Sequence, residues 1–216
     1  MLRSIEKIMQ SPLQKGVIKE YDLVNLFAGT PAKRYGLVNK AIKSEELLVL
    51  RRGLYMLASQ RGYFSAYYVA NQLVPFSFVT AEAALQFHQW IPERVTQVTS
   101  MVAFGRNKMF HNFFGDFLYK KATTELSNFF IGVERLQSYQ HFVLMATPLR
   151  ALADYVYWHA INEANIDFLK YSLRIEEYNL KSIKKSEIKL LMQIYKKGRV
   201  KCFLENLLME KDKYHV

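Results

Sequence analysis

Residues 30–57, TPAKRYGLVNKAIKSEELLVLRRGLYML, decide the fold of the first part of the chain. Thr30 followed by Pro31 is typical of a helix start, because threonine caps free amide groups and proline fits the first helical position. The spacing of the apolar residues that follow predicts a helix over 31–43. Two apolar segments, 47–50 and 54–57, flank a turn that contains glycine, and this pattern predicts a β-hairpin.

The predicted helix 31–43 has two faces of different character. At 100° per residue, Tyr35, Val38 and Ile42 fall on one face, which we expect to pack against the rest of the domain. The opposite face and its flanks carry cations, an amide and a glycine: Lys33, Arg34, Gly36, Asn39, Lys40 and Lys43. A helix of this design is typical of the recognition helix in a helix-turn-helix.

The residues around this helix complete a familiar order of elements. A preceding helix is predicted over 19–27, with Tyr21, Val24 and Phe27 buried, and Ala28-Gly29 ends it. The order helix, turn, capped helix and hairpin predicts a winged helix-turn-helix over residues 1–62. Arginine forks onto phosphate oxygens, so Arg51 and Arg52 at the hairpin tip are expected to meet the DNA backbone or minor groove. The predicted DNA-binding residues are therefore Lys33, Arg34, Asn39, Lys40, Lys43, Arg51 and Arg52.

The positive charge is distributed unevenly along the chain. The 216 residues carry 30 Lys and Arg against 19 Asp and Glu, a net charge of +11. Counted along the sequence, the net charge is +6 over 1–62, +1 over 63–162 and +4 over 163–216. The basic N-terminal share coincides with the predicted winged helix, and it favours double-stranded DNA as a partner with salt-dependent binding.

Composition and motifs exclude several other classes. Half of the residues are hydrophobic, which is too many for a disordered chain. The single cysteine, Cys202, excludes an internal disulfide and a cysteine-based zinc site. The sequence contains no phosphate-binding loop, dinucleotide fingerprint or serine nucleophile elbow, so neither an enzyme nor a cofactor is predicted. No apolar stretch is long enough to span a membrane, and a cytoplasmic location without a membrane partner is expected.

Residues 63–216 are predicted to form an α+β domain with a small antiparallel sheet and a C-terminal helical extension. Strands are expected over 94–104 and 109–119, with a bulge at Gly115, and two further strands over 129–131 and 142–145. Thr80 is expected to cap a helix over 81–90, and another helix is expected over 149–161. Within these helices His88 is interpreted as a hydrogen-bonded core or boundary residue, and Asp154 as the ion-pair partner of Arg150.

Three segments resemble the AbiEi-type antitoxins of bacterial type IV toxin–antitoxin systems. The first, RRGLY at 51–55, is similar to the end of that family's winged helix. The second, FVTAEAALQFH at 78–88, and the third, ATPLRALAD at 146–154, are similar to two segments that follow in the same order and spacing. The family's glutamate–lysine pair is replaced by Leu149-Arg150 in the third segment, which removes any electrostatic role of that glutamate.

The resemblance implies a function as well as a fold. Antitoxins of this family repress their own operon by binding promoter repeats through the winged helix. Their C-terminal domain counters a nucleotidyltransferase-like toxin encoded alongside, typically without a stable toxin complex. The partners expected for this chain are therefore promoter DNA and, as a functional antagonist, a nucleotidyltransferase-like toxin.

Two alternatives stay open on the sequence. Small winged helices also dock proteins, so the chain is alternatively a protein-interaction module that binds and inhibits a partner directly. The basic residues of the C-terminal helices are either part of a solvated helical cap or a second electropositive surface. They are Lys181, Lys184, Lys185, Lys189, Lys196, Lys197, Arg199 and Lys201.

Overall fold

A computed structural model describes residues 2–122, 124–195 and 198–213 as a mixed α+β protein. Its α-helices are α1 (Arg3–Met9), α2 (Glu20–Leu26), α3 (Pro31–Lys43), α4 (Ala66–Leu73), α5 (Ala81–Phe87), α6 (Pro148–Trp158), α7 (Glu177–Ser182), α8 (Lys185–Ile194) and α9 (Gly198–Lys213). Its strands are β1 (Ile18–Lys19), β2 (Leu47–Arg51), β3 (Leu54–Leu57), β4 (Phe78–Val79), β5 (Gln97–Val102), β6 (Lys108–Asn112), β7 (Gly115–Lys121), β8 (Val133–Ser138) and β9 (His141–Ala146). The predicted α+β class with C-terminal helices is confirmed.

The first part of the chain packs three helices against a small antiparallel sheet. The strand order is β1-β3-β2, so β3 lies in the centre and pairs with both neighbours. One hydrophobic cluster fills the space between helices and sheet, and its buried members are Ile5, Ile8, Ile18, Leu23, Phe27, Ala41, Leu47 and Leu57. The Thr30 hydroxyl accepts a hydrogen bond from the Lys33 amide at 3.3 Å, so α3 begins as its sequence predicts.

The second sheet has six strands in the order β6-β7-β5-β4-β9-β8. It is mixed, because β5 pairs with β7 and β4 pairs with β9 in parallel, while the remaining neighbours are antiparallel. The predicted strand over 109–119 is wrong: it is a hairpin, β6 and β7, that turns at residues 113–114. Gly115 has a φ of 118° as the first residue of β7, and the chain reverses there instead of bulging.

One other strand prediction is wrong, and two strands were not predicted. Residues 129–131 form turns and not a strand, and Phe129 is buried there. The structure adds β4 and β8, which sequence periodicity did not indicate. β8 is an edge strand whose residues alternate weakly, and β4 has only two residues, so neither gives a pattern to find.

Helices cover the six-stranded sheet and bury α6 almost completely. α5 and α6 pack on one another, and α9 packs against α6 and α8. Asn71 of α4 binds β9, since its side chain accepts a hydrogen bond from the Leu144 amide at 2.7 Å and donates one to the Leu144 carbonyl at 3.4 Å.

Over the described ranges, 2–122, 124–195 and 198–213, no helix is long and apolar enough to cross a membrane.

The β2–β3 hairpin joins the two parts of the molecule. Leu50, Leu54 and Met56 belong to the large hydrophobic cluster around the six-stranded sheet, although their strands lie in the small sheet. The Asn112 amide at the end of β6 donates to the Leu50 carbonyl at 3.1 Å. The hairpin is therefore packed against the second sheet and does not project freely into solvent.

Candidate nucleic-acid interface

The exposed face of α3 carries most of the predicted DNA-binding residues. Ala41 is buried and Leu37, Val38 and Ile42 are half-buried, so these four define the packed face. Lys33, Lys40 and Lys43 are exposed on the other side of the helix, and Asn39 is partly exposed among them. We call Lys33, Gly36, Asn39, Lys40 and Lys43 the basic face.

The basic face has free cations and room for a close approach. Lys33, Lys40 and Lys43 form no ion pair with any residue in the described part of the chain. At Gly36, no heavy atom lies within 4 Å of the position that a Cβ would occupy. A ligand backbone can therefore come close to the helix at this point, between positive side chains that are free to bind anions.

Arg34 lies away from the basic face. It is partly buried on the packed side of α3, and its guanidinium donates a hydrogen bond to the Gly29 carbonyl. Gly29 has a φ of 116° in the turn between α2 and α3. The structure thus places Arg34 where it stabilises this turn.

The two hairpin arginines have different environments. Arg52 is exposed at the two-residue turn between β2 and β3. Arg51 is partly buried, and its Nε donates to the Leu73 carbonyl at the end of α4 at 2.9 Å, while Nη1 donates to the Arg52 carbonyl at 3.0 Å. Arg52 is therefore available to a ligand, whereas Arg51 ties the hairpin to the second part of the molecule.

Tyr35 was expected on the packed face of α3, and this prediction is wrong. Its side chain is 70% exposed, next to the basic face. The i, i+3 and i+7 spacing of Tyr35, Val38 and Ile42 is compatible with one face, but Leu37 and Ala41 shift the centre of packing away from Tyr35. The same error affects α2, where Leu23 and Phe27 are buried while Tyr21 and Val24 are exposed.

Val24 and Tyr35 border a shallow groove between α2 and α3. The groove also touches Glu20 and Tyr55 and has a volume of about 80 Å³. The Lys19 ammonium lies 5.6 Å from the centre of the Tyr21 ring. The apolar content of this groove distinguishes it from the neighbouring basic face.

A buried polar network lies in the second part of the molecule. Arg150 and Asp154 are both fully buried on α6, and the Arg150 Nε lies 3.3 Å from each Asp154 carboxylate oxygen. The Thr80 hydroxyl donates to Asp154 at 2.7 Å, and the Tyr195 hydroxyl also donates to this carboxylate. The predicted Arg150–Asp154 ion pair is confirmed. Thr80 is the N-cap residue of α5, as predicted, but its hydroxyl makes no cap hydrogen bond and bonds Asp154 instead.

The buried Arg150 guanidinium has further partners besides Asp154. The Arg150 Nη1 donates to the Ile131 carbonyl at 2.6 Å, and Nη2 contacts the Met101 sulfur at 3.4 Å. Burial lowers the pKa of Arg150, but the attraction of Asp154 and Tyr195 outweighs burial, and the net pKa is raised. Burial and the Asp154 charge raise the pKa of Tyr195, which stays a neutral hydrogen-bond donor.

His88 is hydrogen-bonded at the boundary of the core, as predicted. Its Nε2 lies 2.9 Å from the Ala146 carbonyl and donates to it when protonated. Burial lowers the pKa of His88, while this hydrogen bond and the charge of Glu134 act in the opposite direction. In the part of the chain that the structure describes, no group of three or more His, Cys, Asp or Glu side chains is arranged to hold a metal ion.

The basic C-terminal helices are partly neutralised by acidic neighbours. Lys181 pairs with Glu177 at 3.1 Å, Lys185 pairs with Asp212 at 2.9 Å, and Lys201 pairs with Glu205 at 3.4 Å. Lys184 and Lys189 are exposed and form no ion pair with a described residue. Lys196 and Lys197 lie outside the described residues.

No protein-family model matches the chain, and no curated protein matches its sequence. The resemblance to AbiEi-type antitoxins therefore stays a prediction that rests on the three segments quoted above.

Proposed function

We propose that the chain is a sequence-specific double-stranded DNA-binding protein that represses transcription through the basic face of α3. The observation that carries this proposal is the exposure of Lys33, Lys40 and Lys43, which have no acidic partner among the described residues, around an open backbone at Gly36. Free lysines bind phosphate oxygens and release counterions, which supplies affinity without sequence preference. A side-chain amide such as that of Asn39 pairs with the major-groove edge of adenine, which supplies specificity.

The order of the elements supports a winged helix-turn-helix. The chain runs α1, β1, α2, α3, β2 and β3, and the three strands form one antiparallel sheet. Four residues, 27–30, join α2 to α3, the length of turn that a helix-turn-helix uses. In this assignment α3 enters the major groove, and Arg52 at the hairpin turn binds the sugar-phosphate backbone.

Arg34 and Arg51 have supporting roles in this proposal. Each donates hydrogen bonds to backbone carbonyls of the chain, Arg34 in the turn before α3 and Arg51 at the end of α4. A guanidinium used in this way orients the element that carries the contacts. Lys33, Asn39, Lys40, Lys43 and Arg52 remain as the residues that meet DNA.

The second part of the chain is proposed to act as the antitoxin that counters a nucleotidyltransferase-like toxin. The support is the resemblance, together with the way its two later segments fold against each other. Val79 pairs with Met145, Thr80 bonds Asp154, and the His88 side chain bonds the Ala146 carbonyl. These contacts join the two segments into one packed unit. The residues that carry the resemblance therefore lie together in the structure and are not scattered over the surface.

A comparison of two DNA fragments tests the repressor proposal. The protein is titrated with DNA from upstream of its own coding region and with unrelated DNA of the same length, at a fixed salt concentration. We expect the upstream fragment to bind at least about 10³-fold more tightly, as specific sites do. Equal affinity for both fragments would refute sequence-specific repression.

A growth assay tests the antitoxin proposal separately. The first step is to look for a nucleotidyltransferase-like gene beside the coding region, which the proposal requires. That gene is then expressed with the wild-type chain or with Lys40→Ala/Lys43→Ala. Both chains are expected to restore growth when expressed from a foreign promoter, because the proposed antitoxin function lies in the second part. Failure of the wild-type chain to restore growth would contradict the antitoxin role and leave DNA binding unaffected.

A direct protein-interaction module is the second candidate. The exposed side chains of Val24 and Tyr35 at the groove between α2 and α3 favour it. The packing of the hairpin against the second sheet favours it as well, because a docked hairpin has less reach toward DNA. A stable stoichiometric complex with the adjacent gene product, together with absent or salt-insensitive DNA binding, would select this candidate.

A further inference from the structure

Four large apolar side chains are exposed together where β4 begins and β5 ends. Phe76 is 80% exposed, Phe104 70%, Leu126 58% and Phe130 46%. They come from three separate loops, and they border a groove of about 300 Å³. The other residues lining the groove are also apolar: Val74, Pro75, Val102, Ala103 and Phe129. We call this region the aromatic surface.

The backbone of Phe76 is held in a conformation that bulky residues rarely adopt. Its φ is 62°, in the left-handed region that favours glycine or asparagine. The residue is followed at once by the buried Ser77 and Phe78, which anchor the loop to the sheet. The loop therefore presents the ring to solvent despite a local cost, and such cost is concentrated at functional positions.

The aromatic surface is a large contiguous apolar area, in contrast to single apolar residues scattered over a protein surface. At about 200 Å² per ring, the exposed parts of the three phenylalanines alone amount to about 400 Å². With Leu126 and the groove walls the total reaches about 500 Å² per chain, within the range of the largest patches on monomers, which are often functional. Two such surfaces bury about 1,000 Å² when they meet, the lower limit for a specific interface.

We propose that this surface is a homodimer interface, in which a twofold axis places Phe76 of each chain in the groove of the other. A twofold interface requires one patch to complement itself, and the aromatic surface holds both a projecting ring and a groove that accepts one. This inference does not depend on DNA binding.

The charge distribution favours a second copy at this surface over other faces of the chain. A net charge of +11 makes two copies repel each other, most strongly through the basic face of α3. Residues 63–162, which contain the whole surface, have a net charge of only +1, and the residues lining the groove are uncharged. This neutral region lets two copies meet with the least repulsion.

The small area predicts a dimer of moderate strength. Interfaces at the low end of the size range are typical of weak, transient complexes, so we expect a dissociation constant of about 1–100 µM. Sedimentation velocity between about 1 and 200 µM follows the transition from a 25.4 kDa monomer to a dimer of about 51 kDa.

The test uses a variant designed to keep the fold. Phe76→Asn introduces a residue that accepts the left-handed conformation, and Phe104→Ser removes the second most exposed ring of the aromatic surface. The matched control is Tyr171→Ser, which removes a ring that is 77% exposed and far from this surface along the chain. Circular dichroism confirms that the variants retain their helices.

We expect wild type and Tyr171→Ser to dimerise alike, and the Phe76→Asn/Phe104→Ser dimer to be at least about 30-fold weaker, as for loss of a central anchor. A wild-type chain that stays monomeric over the whole range would overturn the proposal, as would a dimer that survives the double substitution. A complex with a different protein through this surface, without self-association, would also overturn it.

Discussion

Replacement of Asp154 by alanine tests whether the buried network holds the second part of the molecule together. The carboxylate is fully buried and accepts from Arg150, Thr80 and Tyr195. These partners belong to α6, to the residue before α5 and to the end of α8. The change therefore leaves one cation and two hydroxyl groups without their acceptor at the junction of three helices.

The magnitude follows from these three losses. Leaving a buried charge without its partner costs about 3–5 kcal/mol, and each hydroxyl bond adds about 1 kcal/mol. Water admitted by the smaller side chain recovers part of this, so we expect a loss of about 4–5 kcal/mol. This is about a quarter or more of the typical 5–15 kcal/mol of a domain, and it corresponds to a fall in Tm of about 8–20 °C.

Urea unfolding, followed by the fluorescence of Trp90 and Trp158, measures the change. Glu177→Ala is the matched control, because Glu177 and Lys181 have the same i,i+4 spacing on an exposed surface, where solvent screens the pair and its loss has little effect on stability. The double variant Arg150→Met/Asp154→Leu is expected to recover most of the stability, because it leaves no unpaired charge. A loss below about 1 kcal/mol for Asp154→Ala, or a double variant less stable than the single one, would refute this reasoning.

Three further predictions concern single positions. Gly36→Ala is expected to raise the free energy of unfolding by about 0.5–1 kcal/mol, because alanine is a better helix former than glycine. It is also expected to weaken DNA binding, because the new Cβ fills the space in which the DNA comes close to α3. Unchanged binding in a titration would contradict this close approach. Arg51→Ala is expected to cost about 1–3 kcal/mol in urea unfolding by leaving the Leu73 carbonyl unpaired, while Arg52→Ala stays within about 0.5 kcal/mol; equal effects would contradict the different environments. Burial lowers the pKa of His88 below its ordinary value, so the unfolded chain takes up a proton first as pH falls, and stability declines below about pH 6.5. His88→Gln should flatten that decline in unfolding curves between about pH 5 and 7.5, and an unaltered pH dependence would count against it.

Local signals in the sequence were sufficient for α3 and its start. Thr30 and Pro31 form a cap that depends only on neighbouring residues, and the helix runs over the predicted residues 31–43. The hairpin of β2 and β3 was found for the same reason, since a glycine turn between apolar segments is a local pattern. The six-stranded sheet depends on contacts far apart in sequence, so its parallel pairs and the short strand β4 gave no local signal.

The candidate interface was predicted less completely than the helix that carries it. Lysines on the exposed face follow from periodicity, but the true packed face is set by Leu37 and Ala41, and this turns Tyr35 outward. The role of Arg51 depends on the Leu73 carbonyl, 22 residues away, and no local sequence pattern predicts this contact. The Thr80 hydroxyl likewise bonds a residue far away in the sequence, Asp154, and makes no cap hydrogen bond to α5.

The salt dependence of DNA binding by lysine variants tests the central claim most directly. Affinity for the upstream DNA is measured at several salt concentrations for wild type, for Lys40→Ala/Lys43→Ala, and for Lys184→Ala/Lys189→Ala, which removes the same charge from the C-terminal helices. If Lys40 and Lys43 each bind a phosphate, the negative slope of log affinity against log salt becomes shallower by about 2 in the first variant and is unchanged in the second. Equal effects of the two variants, or binding that does not respond to salt, would contradict a DNA interface on α3.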